Sequence, residues 1–221
     1  MYPQPVACDP FLRPGVQQID RHNPTGMKLV LCSANPGKLT ELRELLPTRF
    51  ELLDLNGAGI STELPETGHT LEANAIQKAR TAWGLCRLPC IADDTGLEVQ
   101  ALDGAPGVIS AHYAGGSRDP VANMKKLLAE LSNNSDRRAR FRTVIAFVES
   151  DNGPERPCEG VVKGLITEAP RGSRGFGYDP VFQPDMSTLT FAEMDASAKN
   201  AISHRAHAVW KLVQWLAERV H

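Results

Sequence analysis

Lys28-Leu29-Val30-Leu31-Cys32 runs directly into Ser33-Ala34-Asn35-Pro36-Gly37-Lys38, and this junction decides the fold. The apolar, β-branched run reads as a buried strand. Asn35 can cap a helix with Pro36 at its first position. Leu39, Leu42, Leu45 and Leu46 then recur at helical spacing. A strand that ends in a polar loop and opens a helix is where open α/β sheets place their ligand-binding loops.

Outward from this junction the alternation continues. Phe50 to Leu55 reads as a second strand, and a polar loop extends to about His69. Thr70 can cap a helix through about Leu85, with Ile76, Ala79 and Trp83 on one face. Pro89 to Ala92 reads as a short buried strand, and Asp119-Pro120 opens a helix carrying Val121, Met124, Leu127, Leu128 and Leu131. Arg138 to Glu149 and Glu159 to Ala169 predict two long antiparallel strands joined around Asn152-Gly153-Pro154. A last helix begins near Ser203, its stripe formed by Val209, Leu212, Val213, Leu216 and Val220. The pattern is mixed α/β, with a β-rich half able to form a second lobe. Residues 1–26 contain Pro3, Pro5, Pro10, Pro14 and Pro24, and are expected to form a flexible extension ahead of one domain at 27–221, with Met27 a candidate start.

Composition excludes several classes. Hydrophobic residues at 42% and charged residues at 23% suit a globular chain of 221 residues rather than disorder or coiled coil. The net charge of −2 gives no basic field for stable nucleic-acid binding, although a polyanion can still bind locally. No apolar run approaches the roughly 18 residues of a membrane span. Cys8, Cys32, Cys86, Cys90 and Cys158 form no Cys-x-x-Cys, so a cytoplasmic setting without disulfides or structural zinc is expected.

Five stretches carry chemistry. Ser33–Lys38 combines open helix N–H groups with a cation one turn in, which suits a phosphate; a capped helix with an incidental lysine is the plainer reading. Asp93-Asp94-Thr95-Gly96 places two carboxylates beside a buried strand, costly unless paired or bound to a metal such as Mg²⁺; a turn is the alternative. Glu66 precedes a helix on which Asn74 and Lys78 share a face, while Glu72 points elsewhere; an ordinary solvated face is equally compatible. In Arg174–Pro180, Phe176 lies between Gly175 and Gly177, as a base-stacking aromatic or a buried turn residue. Lys199, Ser203, His204 and Arg205 gather at a helix start, where a capping or packing histidine is the plainer alternative.

Together the stretches SANPGK (33–38), ETGHTLEANAIQKA (66–79), ADDTGLEVQALDGAPGVISAHYAG (92–115), GFGYDPVF (175–182) and KNAISHRAHA (199–208) closely resemble the Ham1/RdgB-type inosine triphosphate pyrophosphatase family, in the family's order. The resemblance covers nearly everything from Met27; Thr95 stands where many members have Ser. It implies an elongated, two-lobed α/β fold with a central mixed sheet, a cleft between the lobes, and a homodimer. It implies Mg²⁺-dependent hydrolysis of ITP, dITP and XTP to monophosphate and pyrophosphate, which removes deaminated purines before a polymerase uses them. On matching positions, Ser33, Ala34, Asn35, Pro36, Gly37 and Lys38 would contact the triphosphate. Glu66 and Asp94 would hold metal, with Asp94 also the base for water and Thr95 touching substrate. Lys78 and Lys199 would neutralise phosphate charge. Phe176, Gly177, Tyr178 and Asp179 would pack on base and sugar, and His204 and Arg205 would read the purine edge. A Maf-like phosphatase or pyrophosphatase for other modified nucleotides, and a non-catalytic nucleotide-binding module, are the competing readings.

Overall fold

The computed structural model describes residues 26–151, 153 and 155–219. The expected extension, but for Gly26, and Val220 lie outside the described residues. Among the described residues seven strands form one sheet: β1 (Met27–Leu31), β2 (Phe50–Leu53), β3 (Cys90–Val99), β4 (Pro106–Gly107), β5 (Arg138–Val148), β6 (Arg156–Ile166) and β7 (Phe182–Pro184). Their order is β2-β1-β3-β5-β6-β7, with β4 paired to β3. β1 is parallel to β2 and β3, whereas β3-β5-β6-β7 are antiparallel, so the sheet is mixed. Helices α1 (Pro36–Leu45), α2 (Leu71–Cys86), α3 (Pro120–Glu130), α4 (Ala196–Ile202) and α5 (His204–Glu218) cover it.

Each helix begins on a side chain that accepts backbone N–H groups: Asn35, Thr70, Asp119, Asp195 and Ser203. Such caps contribute about 0.5–2 kcal/mol apiece. Four of these starts are legible in the sequence; α4 is not, because it is only two turns long and carries no apolar stripe. Among the described residues no helix is long and apolar enough to cross a membrane.

The largest correction concerns β3. The apolar run ends at Ala92, yet the strand continues to Val99, so Asp93-Asp94-Thr95-Gly96 is strand rather than turn. Pairing with β5 over its whole length, from Cys90↔Val148 to Val99↔Ala139, overrides the local turn preference of Asp and Gly. β6 likewise starts three residues before its expected beginning and ends at Ile166.

Strand alternation then sorts β3 between two faces. Ile91 packs with Leu29, Leu31, Ile145 and Phe147 beneath Leu42 of α1 and Leu212 of α5. Further along that side, Leu97 and Val99 join Phe141, Phe182 and α3's Leu127 in a second core. Between these two cores lie Asp93, Thr95 and Thr143, a polar gap. The other side carries Cys90, Ala92, Val144 and Ala146 beneath Ala75, Ala79 and Trp83 of α2.

Gly160 on β6 brings the start of α5 down onto the sheet: a Cβ there would lie 1.9 Å from the His204 carbonyl oxygen and 2.5 Å from the Ala208 nitrogen. Gly160→Ala is therefore expected to destabilise by about 1–3 kcal/mol. Gly84, in the exposed part of α2 with open space at its Cβ position, is the contrasting site. Gly84→Ala is expected to stabilise by about 0.5–1 kcal/mol. Urea denaturation of both variants checks the pair.

Candidate functional site

The polar gap opens into a cleft of about 1060 Å³ lined from both halves of the chain, including Lys38, Glu66, Asp94, Phe176, Lys199 and His204. β3 forms its floor, and alternation sends its neighbouring carboxylates apart. Asp93 turns toward α1 and α5, and Asp94 toward α2.

On the α2 side, Lys78 Nζ donates to Glu66 Oε1 at 2.5 Å and to the Asp93 carbonyl at 2.7 Å, and sits 3.4 Å from Asp94 Oδ1. Burial disfavours the Lys78 ammonium, but Asp94 and Glu66 outweigh that and raise its pKa. Burial would likewise push Glu66 up, yet Lys78 holds it below the ordinary carboxylate range. Asp94 goes the other way: burial raises it, and Lys78 and Lys38 offset only part.

On the other side, Asp93 is wholly buried between cations. Arg205 Nε and Nη2 donate to Asp93 Oδ2 at 3.1 and 2.9 Å, and Lys38 Nζ lies 3.3 Å from Oδ1. That Lys38 contact lacks hydrogen-bond geometry, so Oδ1 has no donor. Burial opposes the Asp93 charge, but Lys38, Arg205 and Lys78 hold the carboxyl well below its usual range. Burial lowers the Lys38 ammonium, with Asp93 offsetting only part. Thr95 Oγ1 meets Thr143 Oγ1 at 2.6 Å and accepts from Arg205 Nη2 at 3.2 Å.

At the helix-start loop, Asn35 Oδ1 accepts the Gly37 and Lys38 N–H groups at 2.9 and 3.2 Å, and Ser33 Oγ accepts from Asn35 N at 3.2 Å. Ala34, Asn35 and Pro36 are exposed, and the first two line the cleft. Gly37 gives room for Phe176: a Cβ at residue 37 would sit 2.4 Å from the ring. That ring lies over Lys199 Nζ and the Arg205 guanidinium, at 5.0 and 5.7 Å from its centroid. Gly177, in the left-handed region at φ +63°, turns the chain from Phe176 into Tyr178. Tyr178 donates to the Ser110 carbonyl at 2.9 Å. Asp179 Oδ2 accepts from Phe176 N at 2.8 Å and from Lys199 Nζ at 2.5 Å, and burial raises its pKa. His204 stacks on Phe141 with ring centroids 4.5 Å apart, and its buried Nδ1 has no partner. Burial, with Arg205 and Lys199, holds this imidazole neutral.

The expected residues, Pro36 and Gly37 apart, therefore line one cleft, with a difference in emphasis. Arg205 is a strut whose donors engage Asp93, Glu41 and Thr95, whereas His204 has a ring nitrogen to spare. Sequence reasoning missed Glu41, buried on α1, which accepts from Lys199 Nζ at 2.6 Å and from Arg205 Nη1. A glutamate on an amphipathic helix reads as solvent-facing, and its partners lie far along the chain. Arg118 was also missed; it bridges Glu66 and Glu63 at the cleft mouth, at 3.3 and 3.4 Å.

The donor set fits a hard divalent cation. Glu66 and Asp94 converge on one cationic atom, Lys78 Nζ, and both offer only oxygen. No group of three or more His, Cys, Asp or Glu able to hold a metal occurs among the described residues. Two carboxylates leave positions for water and phosphate, the usual way Mg²⁺ is held beside a nucleotide.

The Ham1 family model matches residues 29–215. A dITP/XTP pyrophosphatase of Porphyromonas gingivalis is 50% identical over 190 residues, covering 86% of this chain and 97% of that protein. One from Bacillus subtilis is 43% identical over 190 residues, covering 85% and 96%. The solved structure of a HAM1 protein from Coxiella burnetii superposes with a TM-score of 0.79 at 42% identity, covering 87% of this chain and 99% of that one. On fold, cleft and sequence together, the chain belongs to the Ham1 family.

Proposed function

We propose that this protein hydrolyses non-standard purine nucleoside triphosphates, ITP, dITP and XTP, to the monophosphate and pyrophosphate. The observation that carries the reading is the convergence of Glu66 and Asp94 on one cationic position, flanked by Lys38 at the Asn35-capped start of α1, at one end of a nucleotide-sized cleft. The names of the relatives supply the substrate class.

Mg²⁺ held by Glu66 and Asp94 would supply charge neutralisation at the phosphates and acidify a bound water. Ser33 to Lys38 would line the polyphosphate and meet it through the Lys38 ammonium, because Asn35 Oδ1 already takes the Gly37 and Lys38 N–H groups and Pro36 has none. Lys78 would share its charge between the carboxylates and the phosphates, and Lys199 would add a cation under Phe176. Asp94 would take the proton from the water attacking the α-phosphorus, as the bond to the α–β bridging oxygen breaks and pyrophosphate leaves. The raised pKa of Asp94 favours it over Asp93 as a proton acceptor. Phe176 and Tyr178 would wall the base and sugar, with Thr95, Gly177 and Asp179 lining the same end.

A neutral imidazole with an unpartnered nitrogen suits His204 to donate to the O6 carbonyl shared by hypoxanthine and xanthine. Adenine presents a donor there and would be rejected. Guanine shares O6, so its exclusion would rest on the unpaired 2-amino group, worth about 1–3 kcal/mol. The reading includes a homodimer, a cytoplasmic setting and removal of deaminated purines before their incorporation into DNA and RNA.

Turnover of ITP, XTP, dITP, GTP and ATP with Mg²⁺, resolving pyrophosphate from orthophosphate, tests the assignment. Pyrophosphate from ITP and XTP, with little from GTP or ATP, is expected, and EDTA abolishes it. Orthophosphate as the product would instead favour a Maf-like or phosphatase reading. Asp94→Asn is expected to keep the fold and lower kcat by about 10²–10⁴-fold. Near-normal turnover in that variant removes Asp94 from the base role.

A further inference from the structure

Asn74 and Gln77 of α2 make a set of contacts that the chemistry above does not use. Asn74 is buried, and its amide has only one orientation that satisfies its neighbours. Asn74 Oδ1 accepts the Gly68 N–H at 2.7 Å. A backbone N–H can only donate, so the oxygen faces Gly68 and Nδ2 faces Asp94. Nδ2 donates to Asp94 Oδ2 at 3.1 Å. Gln77 repeats the arrangement one turn on: its Oε1 accepts from Thr67 N at 2.9 Å and its Nε2 donates to Thr67 Oγ1 at 2.8 Å. The loop following Glu66 is thus bolted to the helix face that carries Lys78. The fit is close, since a Cβ on Gly68 would lie 2.7 Å from the Ala73 Cβ and 2.9 Å from Asn74 Oδ1.

We propose that Asn74 and Gln77 are positioning residues that preset the Glu66–Asp94 pair for a divalent cation. Asn74 selects the Asp94 oxygen that faces the cation, and Gln77 fixes the loop that delivers Glu66. This rests on reading Glu66 and Asp94 as the ligands. With Asp94 Oδ2 engaged by Asn74, Oδ1 is left toward Lys78 and Glu66. Both carboxylates are then ordered before the ion arrives. Partners behind the ligands typically alter metal affinity by about 10–100-fold.

The test is Mn²⁺ binding to the full chain without nucleotide, read from the free-Mn²⁺ paramagnetic resonance signal, with the Mg²⁺ half-saturation of ITP turnover measured in parallel. Asn74→Ala is expected to weaken Mn²⁺ and raise the Mg²⁺ half-saturation by about tenfold or more, and Gln77→Ala by less. The KM for ITP at saturating Mg²⁺ should stay within about threefold for both, a split that general loosening of the fold would not produce. Gln77→Glu should restore the wild-type half-saturation, because the Thr67 hydroxyl can then donate to the new carboxylate. Should Asn74→Ala not fold, the more exposed Gln77 pair decides alone. Wild-type Mn²⁺ and Mg²⁺ affinities in the folded alanine variants overturn the positioning claim while leaving the ligands standing. Wild-type Mn²⁺ affinity in Glu66→Gln instead overturns the ligand assignment, and this inference with it.

Discussion

Two adjacent carboxylates can be buried on one strand only if each finds its own cation. β3 meets that constraint through pleat geometry: Asp93 faces one side of the sheet and Asp94 the other. Everything near the cleft is arranged around this split. α1 and α5 deliver Lys38 and Arg205 to Asp93, and α2 delivers Lys78 to Asp94. Lys78 also joins the two sides, because its ammonium donates to the Asp93 carbonyl while serving Asp94 and Glu66.

Such a network is expensive in isolation. Desolvating an ion costs several kcal/mol, and an ion pair recovers that only when geometry and further hydrogen bonds are good. Hydrophobic packing on both sides of the gap provides the frame that holds the charges in register. The arrangement is better explained by what it can bind than by stability. On the proposed function, this buried set of paired charges with one end open would exchange internal contacts for a polyphosphate and its cation. The same low-polarity surroundings that make the charges costly strengthen their interaction with an anionic substrate.

Much of this was legible beforehand, for physical reasons that differ by element. Helix starts at Asn35, Thr70, Asp119 and Ser203 were readable because capping is local chemistry. The long β5–β6 pair was readable from apolar runs without a helical period. The continuation of β3 through Asp-Asp-Thr-Gly was not, because long-range pairing with β5 supplies it. For the site, residue types and order pointed to Glu66, Asp94 and the three lysines. Glu41 and Arg118 stayed hidden because their partners are distant in sequence. The alternation of Asp93 and Asp94 between faces also needed the strand assignment that local propensity got wrong.

The central claim is that Glu66 and Asp94 form a divalent-cation position beside the polyphosphate. Anomalous diffraction from crystals soaked with Mn²⁺ and a non-hydrolysable ITP analogue tests it most directly. The account predicts one Mn²⁺ peak about 2–2.3 Å from an oxygen of each carboxylate and in contact with the analogue's phosphates. Bound analogue with no peak there, or with its Mn²⁺ on other residues, would contradict it.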